Sequence, residues 1–278
     1  MMQMIFSSSV TGKAMEKGIV SLDTINIRDF ADNRYKHIDD YIYGGGSGML
    51  MQARPVFESF CCALEKCGIT YDEYIAGAEI TVAETAGAET ADAMTVDAET
   101  TETVESSTAE TIETAVKKRP CVLYTTPQGR TFDQKMAEEL KDEEDIIILC
   151  GHYEGIDERA IELIKPTEVS IGDFVLTGGE LPAAVIMDSV TRLLPGALGK
   201  DDSALYESFY DNLLEYPQYT RPEEYMGLKV PPVLLSGHHK NIEKWRLEEA
   251  EKRTRDKRPD LYEKYLESRK NTKKNEKK

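Results

Sequence analysis

Apolar residues in the middle of the chain fall into short runs separated by polar, helix-forming stretches. "CVLYTT" (121–126) and "DIIILCG" (145–151) are near-continuous apolar runs, and "EVSIGDFVL" (168–176) holds a third. Runs of this length, bounded by turn residues, predict strands buried on both faces. Between and after them, "FDQKMAEELKDEE" (132–144), "DERAIELIK" (157–165) and "GELPAAVIMDSVTRLLPG" (179–196) read as helices, the last stopped by Pro195 and Gly196. The βαβαβα order predicts an α/β fold class with a mainly parallel sheet covered on both faces. Upstream, "PVFESFCCALEKCGI" (55–69) predicts an amphipathic helix with Phe57, Phe60, Cys61, Leu64 and Cys67 on one side.

Two stretches break the pattern. Residues 78–116 are built almost wholly from Ala, Glu, Thr, Asp and Val, repeat variants of "AET", and contain no aromatic residue. Such a segment buries too little apolar surface to offset its ordering entropy, so a disordered insertion is expected. From about 197 the chain turns polar and loop-rich, and 241–270 is helical and charged. These shifts predict a first domain at 1–197, a linker at 198–212, and a small all-α domain at 213–278.

Charge changes the picture only when it is localised. The formal net charge is −17, which by itself disfavours a nucleic-acid partner. Ten of the acids lie in 78–116, which has no Lys or Arg, while 269–278 carries six bases and one acid. The total therefore describes no single surface. No apolar stretch approaches the ~18 residues of a membrane span, and the start lacks the basic and apolar regions of a signal peptide. Cys61, Cys62, Cys67, Cys121 and Cys150 are irregularly spaced with no zinc pattern, so reduced thiols in a cytoplasmic protein are expected.

The candidate chemistry lies at strand ends. "TTPQG", "CGHYEG" and "IGDFVLTGG" each follow an apolar strand. In a parallel sheet these ends share one edge, where ligands bind. Three glycine turns would converge there, although α/β proteins also use such turns for geometry alone. No Lys-Ser or Lys-Thr follows, so a phosphate-binding loop is not indicated. Backbone groups, apolar residues (Leu123, Tyr124, Ile171, Leu176) and acids (Glu154, Asp157, Asp173) suit an adenosine bearing a cation. S-adenosylmethionine meets that description better than ATP or NAD.

Seven motifs in order carry a resemblance: "YGGGSGMLM" (43–51), "TTPQGRTFDQ" (125–134), "CGHYEGIDER" (150–159), "SIGDFVLTGGELPA" (170–183), "LLEYPQYTRP" (213–222), "VPPVLLSGHHKNIEKWR" (230–246) and "DKRPDL" (256–261). The chain closely resembles the bacterial tRNA (guanine-N1)-methyltransferases of the TrmD type, in the SPOUT superfamily. The resemblance implies a deep trefoil knot in the first domain, a homodimer with composite active sites, and methylation of N1 of the guanosine at tRNA position 37, beside the anticodon. It implies S-adenosylmethionine as methyl donor, with Mg2+ as a further requirement. The binding positions it carries over are Tyr124, Thr125, Thr126, Pro127, Gln128, Gly129, Gly151, Glu154, Ile171, Gly172, Asp173, Phe174, Val175 and Leu176, with Gly178, Gly179 and Pro182 nearby. It places "YGGGSGM" near the active site.

N1 of guanine needs a carboxylate to take its proton and a cation near O6. By motif the resemblance assigns these roles to Glu207 and Arg192. The family more often has Asp at the first position, so Asp201, Asp202 and Asp211 are neighbouring alternatives. Glu207 also reads as a solvated acid in a flexible linker, and Arg192 as a salt-bridged helix end. Lys252, Arg253, Arg255, Lys257 and Arg258 could grip tRNA phosphates, or form a solvated helix face paired to nearby acids. The family begins with an apolar strand and an "LFPEMF"-like turn. Here the chain starts at "MMQMIFSSS", inside or past that turn. A ribose 2′-O-methyltransferase and a non-catalytic RNA-binding protein are the competing readings.

Overall fold

The structure is a computed structural model, and it describes residues 2–77, 118–198 and 208–275. The expected disordered insertion at 78–116 and Glu207 lie outside the described residues. The chain divides into two compact units, Met1–Thr191 and Arg192–Lys278.

The first unit is built on three parallel strands, β3 (Cys121–Thr131), β4 (Ile146–Cys150) and β5 (Thr167–Ser170), in the order β4-β3-β5. The chain runs from β3 to β4 on one side, then crosses over β3 to β5. The strand order thus reverses at β3, which marks the carboxyl end of that strand as the natural crevice. Alternation along β3 sends Val122 and Tyr124 to one face and Leu123 and Thr125 to the other. The first face joins a core containing Val56, Phe60 and Leu64 of α3 (Ala53–Lys66), Tyr74 of the helical segment α4 (71–77), and Ala160 and Ile164 of α6 (Glu158–Ile164). Leu123 and Val169 on the second face are also buried, and α7 (Glu180–Thr191) packs against β4 and against α5 (Gln134–Leu140). Helices α1 (Met2–Phe6) and α2 (Ser9–Glu16) pack on α7. The described chain therefore opens with helices, and its first strand is β1 (Asp39–Tyr41), antiparallel to β2 (Met49–Met51).

Several boundaries differ from expectation for identifiable reasons. β3 reaches Thr131 rather than 126, because β5 pairs with it twice: Val169 is in register with both Thr125 and Arg130. Residues 126–129 are looped out between the two pairings. β5 ends at Ser170, where Ser170 Oγ donates to the Gly172 carbonyl at 3.1 Å and Gly172 adopts φ 141°. α7 stops at Thr191, not 196, because Pro195 has no N–H to give the Thr191 carbonyl.

In the second unit, the expected helix at 241–270 is two helices, α9 (His239–Lys257) and α10 (Pro259–Asn275), preceded by the short α8 (Pro232–Leu235). The break falls at Arg258, since a residue before proline is driven out of helical conformation. Helices dominate, but the unit is not all-α: β6 (Glu224–Tyr225) and β7 (Leu228–Lys229) form a small hairpin. Thr254, fully buried on α9, donates to the Ala250 carbonyl at 2.7 Å and accepts from the Leu214 amide at 2.8 Å. That tether fixes the segment around Leu214 to α9.

Candidate active site

The first glycine turn is the loop at 126–129 within β3, the other two follow β4 and β5, and the structure stitches them together at one edge of the sheet. Thr125 Oγ1 lies 3.3 Å from the Leu149 carbonyl and 3.2 Å from that of Gly179. The Gly179 amide donates to the Gly151 carbonyl at 2.9 Å, and His152 and Gly178 form an antiparallel bridge. The start of α7 is thereby seated on the ends of β3 and β4.

Glycine is required here by close packing of the turns on one another. A Cβ at Gly179 would collide with Thr125 Oγ1 and would sit 2.8 Å from Cys150 Cα and 2.9 Å from the Gly151 nitrogen. A Cβ at Gly129 would strike the backbone of Glu168 and Val169, and one at Gly151 would come within 3.1 Å of the Tyr124 ring. These glycines let three backbone segments approach within contact distance, which larger residues forbid.

What the edge presents outward is apolar and acidic. Pro127, Gln128, Asp173, Phe174, Val175 and Leu176 are exposed, with Phe174 at 53% and Val175 at 83%. Tyr124, Thr125, Thr126 and Pro182 are buried beneath them. Ile171, Gly172, Gly151 and Gly178 are half-buried. The looped-out residues 126–129, the turn 151–155 and the segment 171–179 contain Glu154 and Asp173 but no Lys or Arg. This donor set fits an adenosine with a positively charged substituent and offers no cradle for phosphate. Burial pushes the Tyr124 hydroxyl up from its ordinary pKa and, with help from Glu180, the Cys150 thiol up to about 12. Both groups stay neutral in the wall of the site.

The "YGGGSGMLM" stretch joins this edge. The Glu154 amide donates to the Met49 carbonyl at 3.0 Å, Met51 N to Gly155 O at 3.0 Å, and Asp157 N to Met51 O at 2.9 Å. Gly48 packs so tightly on the Glu154 side chain that a Cβ there would lie 2.5 Å from its Cγ. Beyond it, Gly44, Gly45 and Gly46 all take positive φ, and Tyr43 stands almost fully exposed. The sequence did not reveal one prominent contact, His152 Nε2 to Glu180 Oε1 at 2.5 Å. No spacing rule links residues 28 positions apart in different turns.

Arg192 is half-buried in the turn following α7, within the second unit. Asp211 is described at φ 56° in a 3-10 turn, whereas Asp201 and Asp202 lie outside the described residues, as Glu207 does. Of the basic stretch at 252–258, Arg253 donates to the Glu215 carbonyl at 3.0 Å, Arg255 sits 3.6 Å from Asp256, and Arg258 pairs with Asp260 at 2.6 Å. That last pairing holds the Asp260 carboxyl down at about 2. Among the described residues, no three His, Cys, Asp or Glu side chains gather as a metal site, and no helix is long and apolar enough to cross a membrane.

Comparison with known proteins bears on this geometry. The profile of the tRNA (Guanine-1)-methyltransferase TrmD family matches residues 1–104 and 98–264. Among curated relatives, the tRNA (guanine-N(1)-)-methyltransferase of Lachnoclostridium phytofermentans is 46% identical over 270 residues, covering 97% of this chain and 90% of its own length. The enzyme of the same name from Lachnospira eligens is 46% identical over 260 residues, covering 94% and 89%. That of Clostridioides difficile is 44% identical over 256 residues, covering 92% and 90%.

Proposed function

Because the chain belongs to the tRNA (guanine-1)-methyltransferase family, we propose that the stitched three-turn edge is where it holds S-adenosylmethionine and transfers a methyl group to N1 of a tRNA guanine. The observation that supports this most is the convergence of the 126–129 loop within β3 and the turns after β4 and β5 on one edge, with apolar and acidic groups outward and no phosphate cradle. The binding residues in this reading are Tyr124 to Gly129, Gly151, Glu154 and Ile171 to Leu176, with Gly178, Gly179 and Pro182 shaping the floor. The path of the chain through these turns is the trefoil knot of the SPOUT superfamily.

The donor supplies an electrophilic methyl group on a sulfonium. The protein's task is to make guanine N1 nucleophilic. The Glu207 carboxylate takes the N1 proton, freeing the lone pair that forms the new N–C bond as the C–S bond breaks. The Arg192 guanidinium stabilises the negative charge that develops on O6. Glu154 and Asp173 balance the donor's positive charge, and Phe174, Val175 and Leu176 exclude water from its adenosine. The target is the guanosine at position 37, and the second unit grips the tRNA through its basic side chains.

A homodimer completes the proposal. Leu181 and Val185, one turn apart on α7, are 48% and 46% exposed, and apolar side chains bared on one helix face suit a second copy. Glu207 and Arg192 then come from opposite subunits. The enzyme works in the cytoplasm, where its substrate is. The test is nucleoside mass spectrometry of tRNA incubated with the protein and S-adenosylmethionine, with EDTA replacing Mg2+ in a parallel reaction. 1-methylguanosine is expected. A 2′-O-methyl nucleoside would refute the assigned chemistry, and no product would refute catalysis.

A further inference from the structure

We propose that His152 and Glu180 are a positioning pair that sets the spacing between the turn after β4 and the start of α7, and so the affinity for S-adenosylmethionine. The inference rests on reading the three-turn edge as the S-adenosylmethionine site. The two side chains meet at 2.5 Å across turns far apart in sequence. Around them the backbone is already closed by the His152–Gly178 bridge and the Gly179-to-Gly151 hydrogen bond. The pair folds over Gly178: a Cβ there would lie 2.6 Å from both Glu180 Oε2 and His152 Cε1. A side chain at 178 would therefore push the pair apart.

Energetics argue against a role in holding the fold. The side chains are 44% and 28% exposed, and pairs that wet contribute little to global stability. What the pair does control is local. Glu180 is the first residue of α7, and His152 directly follows Gly151, so their contact fixes how far the 171–179 segment stands from the 151–155 turn. A ligand held between two turns loses affinity when their separation is left loose. His152 and Glu180 act through the positions of other residues and take no part in methyl transfer.

The test is a double-mutant cycle on the full-length protein, His152→Ala, Glu180→Ala and both together. Affinity for S-adenosylhomocysteine is measured by calorimetry, alongside thermal melting and steady-state kinetics. Each single change is expected to weaken binding roughly three- to tenfold, with the double no weaker than the worse single. KM for S-adenosylmethionine rises with kcat within about twofold, the pattern of lost binding that is equal in ground and transition states. Melting temperatures stay within about 2 °C, as expected for an exposed pair. His152→Arg, which supplies N–H donors able to reach Glu180, should recover most of the affinity. Unchanged affinity in the singles, effects that multiply in the double, or melting temperatures that fall with affinity would overturn the positioning role. Wild-type protein that binds no S-adenosylhomocysteine would instead overturn the site assignment itself.

Discussion

Replacing residues 78–117 with a four-residue Gly-Ser linker should raise the melting temperature. The two ends of this excursion are already neighbours. The Cβ position of Gly77 lies 3.8 Å from Arg119 Cδ, and the Arg119 guanidinium sits 4.0 Å from the centre of the Tyr74 ring. Tyr74 is 1% exposed, meets Phe60 edge-on at 5.3 Å, and donates its hydroxyl to the Ile164 carbonyl at 2.9 Å. Both ends are thus anchored through one core residue, and four residues, which span up to about 14 Å, reach from one to the other. Shortening the loop about tenfold lowers its closure cost by (3/2)RT ln 10, or about 2 kcal/mol. For a chain of this size that corresponds to a rise of roughly 4–8 °C. Thermal melts followed by circular dichroism, with sizing chromatography, read the outcome. A fall in melting temperature, or a change in elution beyond the lost mass, would show that the segment packs into the fold and refute the reasoning.

Glu207→Gln should slow single-turnover methyl transfer by roughly 10²–10⁴ with S-adenosylhomocysteine affinity unchanged, and Arg192→Ala should act to a similar degree. Near-normal rates in Glu207→Gln would move the base to Asp202 or Asp211, and Glu207→Asp tells whether the local backbone is set for the longer side chain. Gly179→Ala should destabilise by about 1–3 kcal/mol in urea titrations, because its Cβ must displace Thr125 and the Cys150–Gly151 backbone. An unchanged midpoint would contradict that packing. With its pKa pushed up to about 12 by burial, the Cys150 thiol should resist iodoacetamide at pH 8 and react once the protein is unfolded, as peptide mass spectrometry can show. Because the folded pKa is raised, the linked stability is complete below about pH 9 and is lost as pH climbs toward about 12.

The three strands were legible because each is a short apolar run, and β3, central in the pairing order, is buried on both faces, with Val122 and Tyr124 on one and Leu123 and Thr125 on the other. β3's second pairing was not legible. Residues 127–131 are proline, glycine or polar, and only pairing with Val169 and Ser170 makes Arg130 and Thr131 strand. The glycines of the three turns stood out, but a sequence cannot tell a glycine facing a ligand from one facing a neighbouring backbone. Gly129 and Gly179 prove to be the second kind on one side, whatever they face on the other. The engagement of Arg253 with a backbone carbonyl was hidden for a similar reason, since its partner Glu215 is 38 residues away.

The double pairing of Val169 makes chain length itself a constraint. Side chains alternate faces along a strand, so adding or removing one residue among 126–129 would turn Arg130 and Thr131 over relative to β5. It would also drag Gly129 away from the one place where the backbones of 168 and 169 leave room for it. Substitutions at Pro127 and Gln128 can vary the surface shown to a ligand, but indels cannot. Between 77 and 118 the opposite is expected, because Gly77 and Arg119 meet beside Tyr74 and no register among the described residues depends on the count between them. Lineages of this enzyme should therefore differ freely in length at the one point and never at the other.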